Sequence, residues 1–150
     1  MKKVMLIAIC ILCIIINTSC TDTAKYDLWK DTVESFGDGT YQIMHQVYEG
    51  KSINILTNAA YNEAVITEIY NYSVKNEAAY FYGVHHSQEV YAVLYINDNL
   101  LKYYVDKSNG DDFIMTHVNS MVEYQQIKLL STYDEFSTAE KAEFKSLDKK

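Results

Sequence analysis

Three consecutive runs between residues 78 and 105 commit this chain to a β-sheet. Ala78–Val84 reads AAYFYGV, Val90–Ile96 reads VYAVLYI and Leu100–Val105 reads LLKYYV. They are short, aromatic and β-branched, the residue types that suit a pleated, half-buried surface. His85–Glu89 connects the first pair. Asn97-Asp98-Asn99 connects the second, with residues that tolerate left-handed turn conformations. The run from Val90 to Ile96 is apolar on both faces, so it belongs at the centre of an antiparallel meander. Alternation along each strand puts Tyr80 with Tyr82, puts Tyr91 with Tyr95, and sets Tyr103 and Tyr104 on opposite faces.

The flanking segments carry weaker signals. Leu28, Trp29, Val33 and Phe36 are spaced for a short amphipathic helix ended by Gly37. FGDGTY is a turn. Tyr41–Tyr48 alternates as a strand, Glu49-Gly50-Lys51 turns the chain, and Ser52–Leu56 returns. Thr57 or Asn58 can cap a helix whose face holds Tyr61, Val65, Ile69 and Tyr72, although Val65, Ile66, Thr67 and Ile69 are poor helix formers. After the loop Lys107–Gly110, Asp111 or Asp112 caps a helix with Ile114, Val118 and Met121 or Val122 on one side. Ser137-Thr138-Ala139-Glu140 is a capping box that opens a last helix through Phe144 and Leu147. The expected fold is α+β, with a curved antiparallel sheet of about five strands packed against helices on one face.

The N-terminus is of a different kind. Met1-Lys2-Lys3 precedes an unbroken apolar run, Val4–Ile16, of 13 residues. As a helix this run would rise about 20 Å, short of the ~30 Å hydrocarbon core, which suits a secretory h-region better than a membrane span. It ends in Asn17-Thr18-Ser19-Cys20. Small residues at 18 and 19 before a cysteine resemble the signal of bacterial lipoproteins, with Asn17 where that family usually has an aliphatic residue. The resemblance covers residues 1–20. It implies removal of residues 1–19 and diacylglycerol on the Cys20 thiol. The polar stretch that follows makes residues 20–27 the lipidated cysteine and a short tether, and the length of the rest gives a single globular domain over residues 28–150. The implied location is extracytoplasmic, lipid-anchored to a bacterial membrane. The remaining cysteines, Cys10 and Cys13, lie in the segment to be removed, so no disulfide is expected.

Charge narrows the partners. There is no arginine, so no guanidinium is available to clamp a phosphate. Loss of Lys2 and Lys3 leaves 11 lysines against 20 acidic residues, a net charge of −9. Nucleic acid is an unsuitable partner for such a chain, and anionic headgroups would repel it, which leaves the lipid on Cys20 as the membrane attachment.

Candidate chemistry is sparse. The histidines are His45, His85, His86 and His117. His85-His86 is the pair best suited to metal or acid–base work, but it lacks the spacing of a ligand set and reads more simply as a solvated loop pair. Asp106–Asp112 resembles a calcium loop only faintly, with Asp111 at the glycine position and His117 where the closing glutamate belongs. Ser87 has no Gly-x-Ser-x-Gly setting. Glu140 and Glu143 read as a solvated helix face. No catalytic, cofactor-binding or metal-binding residue is nominated, and no cofactor is expected. The 14 tyrosines, all beyond residue 20, are either core-and-rim residues or an exposed aromatic face. The functional expectation is an envelope lipoprotein that binds a protein or a glycan. The alternatives are a small inhibitor or immunity-type protein, and an envelope hydrolase using His85 or His86.

Overall fold

A computed structural model describes residue 26 and residues 28–107, 112–125 and 127–148. Eight antiparallel strands follow one another, then a helix, a short ninth strand, a 3-10 turn and a final helix. The strands are β1 (Thr32–Phe36), β2 (Tyr41–Tyr48), β3 (Lys51–Asn58), β4 (Glu63–Ile66), β5 (Glu68–Lys75), β6 (Ala78–His85), β7 (Gln88–Tyr95), β8 (Leu100–Val105) and β9 (Lys128–Leu129). The helices are α1 (Asp112–Gln125) and α2 (Thr138–Leu147). α+β holds as a coarse class, but in place of one sheet there are two, of four strands (β1-β2-β3-β4) and five (β5-β6-β7-β8-β9). β7 is central in the second, as its two apolar faces require.

Two expected helices are strands. Thr32–Phe36 pairs with β2, with Phe36 opposite Tyr41. A one-turn amphipathic helix is marginal by itself, whereas the neighbouring strand satisfies the backbone directly. The segment 58–72 becomes β4 and most of β5, because its branched residues favour extended backbone once a partner strand is present. The chain passes from one sheet to the other at Thr67. That corner is fixed by Thr67 N and Oγ1, which donate to Val84 O at 2.9 and 3.1 Å.

Gly83 permits the close approach of the β5 backbone beside this corner. A Cβ there would lie 2.2 Å from Glu68 O. Between the sheets, Ile43, Leu56, Val65 and Ile66 of the first meet Phe81, Ala92, Leu94 and Leu101 of the second. Val118 and Met121 of α1 join this cluster, and Val122 packs against it, as their spacing predicts. Ile114 and Asp111 lie outside the described side chains.

α2 covers the opposite face of the five-stranded sheet. Phe144 and Leu147 pack with Phe136, Val93 and Tyr80, Tyr82, Tyr91, Tyr95 and Tyr104. The helices therefore join different clusters instead of sharing one face. The tyrosine-rich face is a half-buried layer under a helix. Tyr91 meets Tyr82 at 5.1 Å and Phe144 at 5.3 Å between ring centroids, while the Tyr82 hydroxyl reaches Glu89 at 2.7 Å. Ser137 caps α2 as its sequence predicts, accepting from Glu140 N while Glu140 Oε2 accepts from Ser137 N. Glu140 itself faces inward, contrary to the expected solvated face, and pairs with Lys102 at 2.9 Å; Glu143 pairs with Lys75 at 2.6 Å.

Candidate functional site

The up-and-down order sends alternate turns to opposite ends of the molecule. At one end lie the two-residue turns Glu49-Gly50 and His86-Ser87, both with positive φ at each position. At the other end, β1–β2, β3–β4 and β7–β8 are joined by four-residue loops, 37–40, 59–62 and 96–99. The longer loops carry enough chain to raise walls.

His85 closes β6 and is 1% exposed, whereas His86 opens the turn and faces solvent. The two rings stand 4.4 Å apart at 71°. This corrects the expectation of a solvated pair: His85 is enclosed, and the exposed His86 ring packs edge-on against it. Among the described residues no group of three or more His, Cys, Asp or Glu could hold a metal. His45 is exposed and contacts Asn54 Oδ1 at 3.2 Å. The His117 side chain and residues 108–111 lie outside the described residues. His86 and Ser87 do line a cleft of about 500 Å³ with Tyr48, Ile53, Ile55 and Glu68. Its walls are largely apolar, and Glu68 is already paired with Lys51 at 2.5 Å.

The other end holds a smaller and more polar cavity, of about 330 Å³. The three four-residue loops are tied together there. Ala59 N donates to Thr40 O at 2.7 Å, linking the first loop to the second. Gly37 lies against the third, where a Cβ would sit 2.8 Å from both Ile96 O and Asn99 Oδ1. Its φ of +56° suits glycine as well. Asp38 folds back on its own loop, its Oδ1 accepting from Thr40 N at 3.0 Å and Thr40 Oγ1 at 2.5 Å. Asn58 Oδ1 does the same for Ala60 N at 3.0 Å. Asp98 and Asn99 come from the third loop, and Gln125 from the end of α1 closes the wall.

Three tyrosines complete the lining, Tyr26, Tyr41 and Tyr61. Burial pushes the Tyr41 pKa up to about 12, with Tyr61 adding to the rise and an Asn58 hydrogen bond opposing it, so the phenol stays neutral. Tyr61 is 47% exposed, and its ring is braced edge-on by Tyr124 at 5.3 Å. Tyr124 in turn donates to Glu63, which also accepts from Gln125 Nε2 at 2.7 Å.

Gln125 is only 5% exposed, and its Oε1 finds no hydrogen-bond partner among the described residues. Asn99 Oδ1 is in the same condition. Both oxygens are enclosed by protein, Asn99 Oδ1 against Gly37, and depart from the usual full pairing of interior polar groups. Among the described residues the lining holds Asp38 and Asp98 and no lysine. The arrangement accepts hydrogen bonds and repels anions.

Sequence reasoning reads Asp38, Asn58, Asp98 and Asn99 only as turn or cap residues, and does not consider Gln125. Their convergence has no signature in spacing. No protein-family model, curated protein or solved structure matches the chain.

Proposed function

We propose that this protein is a membrane-anchored envelope lipoprotein, held by lipid on Cys20, that works as a binding module through the cavity built by its three long turns. The carrying observation is the cavity wall itself, with polar side chains from three loops and α1 converging on one cavity. A catalytic reading has less support, since His85 is enclosed and only His86 is exposed, at the opposite end.

The position of the tether supports the same reading. Tyr26 lines the cavity, and its N donates to Asp38 O at 3.3 Å. Five residues lie between it and Cys20, and the six residue steps reach at most about 21 Å. A lipid on Cys20 would therefore hold the cavity close to the bilayer surface. Among the described residues no helix is long and apolar enough to cross a membrane.

Metabolic labelling with a clickable palmitate analogue in a bacterial host tests the anchor. Label is expected on the wild type and absent from Cys20→Ala. Equal label on both overturns the lipid attachment.

A further inference from the structure

We infer that the loop-built cavity takes a small organic cation, an ammonium group held between carboxylates and tyrosine rings. This rests on reading the cavity as the binding site and names the chemistry it takes. Its volume of about 330 Å³ lies at the low end of small-molecule sites, about 300–1,000 Å³. That is room for a primary amine or a compact quaternary ammonium.

The wall carries charge of one sign. Among the described residues its lining holds Asp38 and Asp98 and neither lysine nor histidine. Asp98 is exposed on its turn and enters no ion pair among the described residues, so an incoming cation can reach its carboxylate. Asp38 accepts from Thr40 N and Oγ1 through Oδ1, which fixes where the second charge sits. The chain as a whole carries −7, so the field around the cavity has the same sign as the field within it.

Tyrosine rings supply the other half of the site. Tyr61 is 47% exposed at the cavity and braced edge-on by Tyr124. Tyr26 is half-buried in the same wall, tied to the Asp38 loop by its own N–H. A tyrosine ring attracts a cation within about 6 Å of its centroid, and its apolar body suits the methyl and methylene groups that an organic cation carries. The parts are positioned in advance. Ala59 N on Thr40 O locks the Tyr61 loop to the Asp38 loop, and Gly37 packs that loop against Asn99, beside Asp98.

These features rank the small ligands. Phosphates and carboxylates meet two like charges. A neutral molecule can use the rings but gains nothing from the carboxylates. Magnesium and calcium keep to oxygen ligands, and among the described residues no group of three or more His, Cys, Asp or Glu gathers to hold one. An alkylammonium uses both the carboxylates and the rings.

The test is titration of the full chain, purified in a neutral maltoside detergent, with choline and ethylammonium. Dimethylbutanol, the uncharged carbon isostere of choline, and acetate serve as comparators, with amide NMR reporting the site. At least one ammonium is expected to bind with a Kd of about 1 mM or tighter, shifting Tyr61 and Asp98. Dimethylbutanol and acetate should bind at least about tenfold more weakly, and added salt should weaken the ammonium alone. Asp98→Asn removes the charge with a residue that also suits the turn, and should weaken binding about fivefold. Tyr61→Ala should do the same, while Tyr61→Phe, which keeps the ring, should bind like wild type. Glycerophosphocholine separates the sources: weaker binding than choline marks a free amine, tighter binding a lipid headgroup, and either supports the ammonium site. Dimethylbutanol binding as tightly as choline, with shifts at Tyr61 and Asp98, overturns the cation inference and leaves the cavity as a binding site. Ammonium binding that Asp98→Asn and Tyr61→Ala both leave unchanged lies elsewhere and also overturns the inference. No shift at Tyr61 or Asp98 with any probe overturns the cavity reading as well.

Discussion

The Tyr103 hydroxyl donates to Val65 O at 2.6 Å, a hydrogen bond that crosses the interior from the five-stranded sheet to the four-stranded one. Tyr103 is fully buried, and burial pushes its pKa well up, so it remains a neutral donor. Tyr103→Phe keeps the ring and strands the Val65 carbonyl. The expected loss is about 1–3 kcal/mol of unfolding free energy, read by urea titration. A variant as stable as wild type would mean that the sheets are held by apolar packing alone.

Glu140 joins α2 to the sheet beneath it through Tyr95 at 2.5 Å and Lys102 at 2.9 Å. Burial alone would raise its pKa. The hydrogen bonds from Tyr95, Lys102 and Ser137 outweigh burial and hold it at about 2, against an ordinary 4.5. A depressed folded-state pKa gives stability that is present above pH 4.5 and is lost as pH falls toward 2. Glu140→Gln should cost about 2 kcal/mol at neutral pH. That is less than the 3–5 kcal/mol of a fully buried pair, because Lys102 keeps 20% of its side chain exposed. Thermal unfolding across pH 2–7 checks both statements: the gap between wild type and variant should close on acidification.

Gly83 lies opposite Ile69 in the β5–β6 pair, with Glu68 O in the place a side chain would take. Gly83→Ala forces backbone apart, not the end of a flexible side chain. The expected destabilisation is about 3 kcal/mol, the upper part of the range for overpacking. Unfolding midpoints decide it, and a loss below about 0.5 kcal/mol would show that the corner at Thr67 can relax.

The His86-Ser87 turn holds two non-glycine residues at positive φ, 47° and 71°. Ser87→Gly relieves the second. The gain, set against the greater freedom of glycine in the unfolded chain, should be about 0.5–1 kcal/mol of added stability. A loss on calorimetry would indicate that the Ser87 hydroxyl makes a contact worth more than the strain.

What was legible in the sequence follows the range over which its signals act. The runs from Ala78 to Val105 became β6, β7 and β8 nearly residue for residue, because alternation and branching are local properties that any sheet partner rewards. The segment 58–72 was not legible in the same way. Tyr61, Val65, Ile69 and Tyr72 share a helical face, yet Val65 and Ile69 reach the core from two strands on either side of a corner. The Thr67 bond to Val84 that makes the corner joins positions 17 residues apart, beyond any periodicity. The tyrosines show the same division. Their faces followed from alternation, but their cover did not, since it comes from Phe144 and Leu147 of the last helix.

The sequence by itself determined the central strands, the capped final helix and the acidic, arginine-free surface, because backbone preference, side-chain alternation and charge are carried by neighbouring residues. Tertiary structure alone decided the division into two sheets and the candidate site. Asp38, Asn58 and Asp98 suit their turns for backbone reasons. Only the stacking of alternate turns at one end, closed by Gln125, turns those same side chains into the wall of one cavity.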